Sequence, residues 1–276
     1  MPITVTILVE NTTPAPNLVG EYGFSCLVTV DGRSLLFDTG SDRALFHNSK
    51  ALGIKLEDVQ DVVISHGHFD HTGALLPLLE QCGTKRIYAH SRLLLPRLFP
   101  LHNGTFRTIG SPYTFEQLER AGAEFIFNDN LTEIMPGVYI SGEIPKYNNF
   151  EDVGGDFRVE VDGQIINDEL QDDMALIIDL PRGLIIISGC AHAGLLNIIE
   201  HATRITGKTK ILAYIGGTHL MNATESRLDQ TVAALKTYDI EKLIVAHCTG
   251  FYAAARLYNE LGKMVVKGET GMSFKF

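Results

Sequence analysis

The chain has 276 residues and a formal net charge of −10, long enough for one large domain or two small ones with a sizeable core. Hydrophobic residues make up 45% and charged residues 20%, the balance of a soluble globular protein. The acidic balance, with no Lys/Arg run, excludes a general nucleic-acid binder, and no stretch approaches the ~20 apolar residues of a membrane span.

From the N-terminus, Met1 to Val5 lack the basic and then apolar profile of a secretory leader. Ile3 to Val9 alternate Thr with aliphatics and predict a strand. Ser25 to Val30 and Arg33 to Asp38 flank Asp31-Gly32, a two-residue hairpin signal. Asn11 to Gly23 is a polar loop. Asp61 to Ser65 predict a short buried strand, Gly73 to Cys82 a helix with Thr72 as N-cap, and Lys85 to Ala89 another strand. Arg92 to Glu119 is irregular, broken by Pro96, Pro100, Gly104, Gly110 and Pro112, and reads as an insertion or lid at about 91–120.

Strands resume at Glu124 to Phe127, Val138 to Ser141 and Phe157 to Val161. Met174 to Leu180 and Leu184 to Ser188 form a hairpin around Pro181-Arg182-Gly183. Leu195, Ile198, Ile199, Ala202 and Ile205 have helical spacing. Then come a strand over Lys210 to Ile215, a helix marked by Leu228, Val232 and Leu235, a strand over Lys242 to Ala246, and a helix from Phe251 to Leu261 stopped by Gly262. Two halves share this rhythm, which suits sheet packed on sheet with helices outside. No linker divides them, so a single domain over 1–276 is expected. Cys26, Cys82, Cys190 and Cys248 are widely scattered, which suits reduced thiols and a cytoplasmic setting.

The chemistry concentrates at Ser65-His66-Gly67-His68-Phe69-Asp70-His71-Thr72-Gly73. His66 and His68, two apart in an extended segment, point to one side. The chain then turns, so Asp70 and His71 approach from another direction. A single His at a strand end is an ordinary polar residue. Four ligand-type residues this close would waste buried polarity without a cation, and imidazole with carboxylate suits Zn, Fe, Mn or Co.

His66-Gly67-His68-Phe69-Asp70-His71 resembles the His-x-His-x-Asp-His signature of the metallo-β-lactamase superfamily. Phe37-Asp38-Thr39-Gly40 and Val245-Ala246-His247 match its early Asp and its late His. The resemblance implies an α/β fold, a four-layer αββα sandwich, holding one or two divalent transition metal ions, zinc first and iron or manganese next. A closer resemblance is to the branch that includes the dihydropterin-ribofuranosylaminobenzene phosphate synthases. Its motifs stand here as Gly23-Phe24-Ser25, Gly189-Cys190-Ala191-His192 and Gly216-Gly217-Thr218-His219. The chain departs from the superfamily where most members carry a bridging Asp. It has Ser188-Gly189-Cys190, so either the Cys190 thiolate coordinates or His192 takes over. His192 is preferred, because imidazole tolerates a hydroxide-generating site better than a soft bridging thiolate.

The expected metal ligands are therefore His66, His68, Asp70, His71, His192 and His247, with Asp38, Glu143 and Cys190 as ligands or neighbours. Asp38 is expected to hold a ligand in place. Asp70 and His219 are the candidate catalytic groups, for orienting a nucleophile and protonating a leaving group. His47, His90, His102 and His201 lack such context. Asp172-Asp173 reads as a solvated pair. There is no Gly-x-Ser-x-Gly elbow and no Walker loop.

The leading expectation is a metal-dependent hydrolase acting on an ester or phosphoester of a small molecule. A pterin-type transferase releasing pyrophosphate is the alternative, with Arg92, Arg97, Arg107 and His102 as phosphate contacts. A non-catalytic small-molecule-binding module is the third. No nucleic-acid or membrane partner is expected, and the oligomeric state is not legible.

Overall fold

The structure, a computed structural model, describes residues 2–276. The chain folds as two compact units. One contains the residues up to Asp129 together with Asp156–Asp172 and Glu269–Phe276; the other contains Asn130–Gly155 and Asp173–Gly268.

In the first unit a seven-stranded sheet runs Ser273–Lys275, Ile3–Val9, Ser25–Val30, Arg33–Phe37, Asp61–Val63, Lys85–Ala89 and Ala123–Phe127. The early strands pair antiparallel, with Ser25–Val30 and Arg33–Phe37 joined by the Asp31-Gly32 turn. From Arg33–Phe37 onward the pairs are parallel. Asp38 and His66 therefore follow the carboxyl ends of adjacent parallel strands, the edge where open α/β sheets place their chemistry. Helices Ala44–Ala51, Leu75–Cys82 and Phe115–Arg120 pack Leu45, Leu75, Leu78, Leu79 and Leu118 onto Leu36, Val62, Ile64 and Ile87. Each such aliphatic side chain contributes about 1.5–3 kcal/mol on burial.

The first unit also holds a four-stranded antiparallel sheet, Gln164–Asn167, Arg158–Val161, Arg97–Pro100 and Phe106–Thr108. Residues 91–120 thus contain two short strands and a helix rather than irregular chain. The strands escape a reading of local pattern because one of their partners, Arg158–Val161, lies far along the chain. The helix Phe115–Arg120 is set by a capping box between Thr114 and Gln117.

In the second unit the sheet order is Val265–Lys267, Leu243–Val245, Lys210–Gly216, Gly183–Ser188, Ala175–Leu180, Val138–Ile140 and Thr132–Met135, with Asp239–Ile240 beside Lys210–Gly216. The first four are parallel and the rest antiparallel. Helices Leu195–Thr206, Glu225–Leu235 and Phe251–Leu261 cover this sheet. Leu195, Ile198, Ile199 and Ala202 form the expected apolar stripe of the first. That helix ends at Gly207, which adopts the left-handed conformation at φ 71°.

The mixed α/β class is as expected. One local expectation fails. Thr72 does not cap the helix Leu75–Cys82, whose N-cap is Ala74 with no side-chain cap bond. Thr72 instead ends a separate helical turn, Phe69–Thr72, and its hydroxyl donates to the His68 carbonyl. The metal-type residues claim this turn, so the longer helix starts later.

Candidate functional site

Each unit carries a buried cluster of metal-type donors at the carboxyl ends of its parallel strands. In the first, the chain leaves Asp61–Val63 in extended form, presents His66 and His68, then turns through Phe69–Thr72 to present Asp70 and His71. All four are buried. His66 Nε2 lies 3.1 Å from His68 Nδ1, the rings of His66 and His71 are centred 4.2 Å apart, and an Asp70 carboxylate oxygen lies 3.8 Å from His71 Nε2.

Asp38 and Ser65 set the orientation of these rings. The Ser65 amide and hydroxyl both donate to the Asp38 carboxylate, each at 2.7 Å. His71 Nδ1 is 2.7 Å from the same carboxylate, and His66 Nδ1 is 2.9 Å from the Ser65 hydroxyl oxygen. The Ser65 proton is given to Asp38, so the His66 Nδ1–H must donate to Ser65. His71 Nδ1–H donates to Asp38 likewise. Both rings are left with an unprotonated Nε2, the form a cation requires. Imidazole and carboxylate are donor types that a divalent transition metal accepts.

The backbone between His66 and His68 is equally constrained. A Cβ on Gly67 would stand 1.8 Å from the Leu93 carbonyl oxygen, so no other residue fits there. The Gly67 amide donates to Asp172 at 2.8 Å. Asp172 pairs with Arg97 at 2.6 Å, and Arg97 pairs with Asp168 at 2.9 Å. Burial pushes the Asp172 carboxyl above the usual carboxylate value, and the Arg97 guanidinium opposes that shift. Two expectations are corrected here. Asp172 and Asp173 are buried rather than solvated, and Arg97 is buried and occupied by carboxylates, so it is not a phosphate contact.

In the second unit, Cys190 and His192 follow Gly183–Ser188, His219 follows Lys210–Gly216, and His247 and Cys248 follow Leu243–Val245. The ligand atoms of Cys190, His192 and His219 lie within 4.8 Å of one another, as do those of Cys190, His247 and Cys248. The rings of His192 and His219 are centred 4.3 Å apart. His192 Nδ1 donates to the Val153 carbonyl at 2.7 Å, which leaves its Nε2 unprotonated. Asp173 accepts from the Ala193 amide at 2.8 Å and steadies the His192 segment. Glu151 accepts from the Leu196 and Asn197 amides at 2.9 and 3.0 Å, placing a carboxylate at the positive end of the helix Leu195–Thr206. Burial raises the Cys248 thiol, but the neighbouring Cys190 side chain, His219 and His247 outweigh it and pull it down to about 5.

Seven described residues other than glycine have positive φ, and four of them belong to these clusters: Asp38, Ala191, His219 and His247. Such conformations cost of order 1–3 kcal/mol each and persist where the surroundings enforce them. Glu143 is exposed and belongs to neither cluster. His47 contacts the Asn17 carbonyl, His90 lies beside Asp129, and His201 contacts Tyr147. Ser65, Glu151, Asp172 and Asp173 were not singled out as site residues by sequence. An acidic pair ahead of an apolar strand was visible, but its depth was not.

The sequence model of the metallo-beta-lactamase superfamily matches residues 18–247, and the chain belongs to that superfamily. It is 31% identical over 271 residues to a 7,8-dihydropterin-6-methyl-4-(beta-D-ribofuranosyl)-aminobenzene-5'-phosphate synthase of Methanocaldococcus jannaschii, covering 93% of this chain and 90% of that protein. An uncharacterised protein of the same organism is 29% identical over 95% of this chain and 99% of its own length. Among solved structures, Tm1679, described as a metal-dependent hydrolase of the beta-lactamase superfamily, superposes with a TM-score of 0.85 at 27% identity, covering 99% and 98% of the two chains. Zinc-bound PqqB from Methylobacterium extorquens shares the fold, with a TM-score of 0.61 at 15% identity over 98% and 99% of the chains. The expected fold and family are thereby met.

Proposed function

We propose that this protein is a metal-dependent hydrolase of small phosphoesters or esters. The observation that carries the reading is the buried His66–His68–Asp70–His71 cluster, with two imidazoles oriented through Asp38 and Ser65 so that Nε2 is unprotonated. In the first unit His66, His68, Asp70 and His71 hold one or two divalent ions, and in the second His192 and His247 are ligands as well. The donor set accepts zinc, iron or manganese. When bound, such an ion acidifies water toward neutral pH and polarises a phosphoryl or carbonyl oxygen.

The chain's own groups do the rest. Asp38 holds His71, and Ser65 holds His66, so neither ring can rotate or take the wrong tautomer. Asp70 orients the attacking nucleophile through its carboxylate. His219, strained at φ 46°, delivers a proton to the leaving oxygen.

A second reading is supported by the 31% identical synthase relative: a transferase in which an arylamine displaces pyrophosphate from a pterin. Arg92, Arg107 and His102 are exposed and remain available as phosphate contacts.

One experiment separates the two. Protein loaded with zinc, iron or manganese is offered a chromogenic phosphomonoester and phosphodiester, and separately a dihydropterin pyrophosphate with an arylamine ribose phosphate. Hydrolysis that disappears in His68→Ala supports the hydrolase. Coupled product without hydrolysis replaces it with the transferase. Full hydrolysis in His68→Ala rejects the metal reading altogether.

A further inference from the structure

We propose that Arg227 is the centre of an oxyanion site in the second unit, taking a phosphate group on the free edge of its guanidinium. The site lies on the helix Glu225–Leu235 and uses none of the metal-type donors described above, so its test does not depend on the hydrolase reading.

The first observation is a buried cation with idle donors. Arg227 is 4% exposed, and its Nη1 pairs with Asp152 at 2.5 Å. Its Nε and Nη2 are buried and have no hydrogen-bond partner among the described residues. Those two nitrogens form the side-on edge of the guanidinium, whose parallel N–H bonds match two oxygens of a carboxylate or phosphate. Two other arginines of this chain show what that edge receives. Arg86 gives Nε and Nη2 to the two Asp61 oxygens at 2.6 and 2.8 Å. Arg97 gives Nε to Asp168 at 2.9 Å and Nη2 to Asp172 at 2.6 Å. Arg227 has the burial and the edge without the acid. Buried charged donors left unbonded are costly, so the edge fits an anion that the chain does not itself supply.

The second observation is a neighbouring donor. Thr231, one turn further along the same helix face, is fully buried, and its hydroxyl also has no partner among the described residues. It offers a neutral donor to a further anion oxygen. Arg227 itself stands in the first turn of this 11-residue helix, after the N-cap Thr224, where the helix dipole favours negative charge.

The third is what the site is joined to. The Asp152 side chain is 71% exposed, so an ion reaches the guanidinium by displacing that side chain rather than by opening the core. Asp152 Oδ1 also accepts from the Gly154 amide at 2.7 Å. The Val153 carbonyl accepts from His192, and Gly154 packs against His219. An anion on Arg227 competes with Asp152 and thereby acts on the turn that touches both histidines.

The test titrates sulfate, then inorganic phosphate, into the whole metal-loaded protein at constant ionic strength, read by calorimetry. Sulfate has the tetrahedral oxygens of phosphate and a weaker hold on metal ions. The wild type should bind sulfate at a single site. Arg227→Lys keeps the charge but loses the edge, and should weaken binding about tenfold or more. Asp152→Asn keeps the acceptor oxygen for Gly154 but removes a competing charge, and should tighten binding about threefold. Arg227→Met leaves behind only an exposed carboxylate, so it should fold and bind no sulfate. Thermal unfolding in chloride checks its fold, and added sulfate should raise the Tm of the wild type but not of this variant. No sulfate binding in the wild type, or equal binding in Arg227→Lys, overturns the inference. Under turnover, sulfate that raises KM at unchanged kcat identifies the substrate's own phosphate as the occupant. Sulfate that changes kcat at unchanged KM identifies a free anion acting through the Asp152 turn. Phosphoester turnover without Arg227-dependent sulfate binding would sink this site alone. The binding without turnover would sink only the hydrolase reading.

Discussion

The carboxylate of Asp38 lies 2.7 Å from His71 Nδ1 and accepts both the amide and the hydroxyl of Ser65. One buried side chain thus controls the backbone entering the His66–His71 segment and the ring that closes it.

Asp38→Asn replaces an acceptor oxygen with an amide donor and cannot satisfy both Ser65 and His71. Metal affinity of the folded protein should fall by about 10–100-fold, as when other outer partners of ligating histidines are lost. Competition against a chromophoric chelator measures it. Unchanged affinity would mean that Asp38 serves the fold rather than the ligands.

Arg97 is 2% exposed and faces both Asp168 and Asp172. Arg97→Met would leave two buried carboxylates without their cation, at a cost of about 3–5 kcal/mol. Denaturant unfolding of the metal-free protein reads it directly. A loss below about 1 kcal/mol would place this network with exposed pairs in its energetics.

Gly154 lies against His219. A Cβ there would stand 1.9 Å from His219 Nδ1, on a residue whose φ is 84°. Gly154→Ala must displace the His219 ring. If His219 is the proton donor, kcat should drop by about 10²-fold with metal content unchanged. Steady-state kinetics beside elemental analysis of the same sample makes the comparison, and an unaltered kcat would remove His219 from the catalytic groups.

His201 is buried against Tyr147 and the Ser141 carbonyl, and burial holds its imidazole below the ordinary value of 6.5. A folded value lower than the unfolded one contributes stability above the unfolded pKa and loses it as pH falls through the folded one. Stability should therefore decline as pH drops below 6.5. His201→Gln keeps a partner for Tyr147 but cannot titrate, so its unfolding free energy should fall less steeply over that window. Parallel slopes for the two proteins would contradict the assignment.

Local pattern was enough for much of this molecule. The strand Ile3–Val9, the hairpin around Asp31-Gly32 and the helices Leu195–Thr206 and Phe251–Leu261 follow from side-chain period and turn chemistry, which act over a few residues. The first donor cluster was equally legible, because His66, His68, Asp70 and His71 are neighbours in sequence and one extended segment with one turn suffices to gather them. The tertiary structure decided what depends on distant partners. The pairing of Arg97–Pro100 with Arg158–Val161 leaves no periodic trace in either segment. Asp172 and Asp173 look like solvent-facing acids until Arg97 and two backbone amides are seen to hold them. Cys190, His219, His247 and Cys248 belong to three separate strand ends and become one cluster only because those strands run parallel side by side. Short-range sterics wrote the elements and the first ligands into the sequence; burial and strand register, which are properties of the whole sheet, chose the partners.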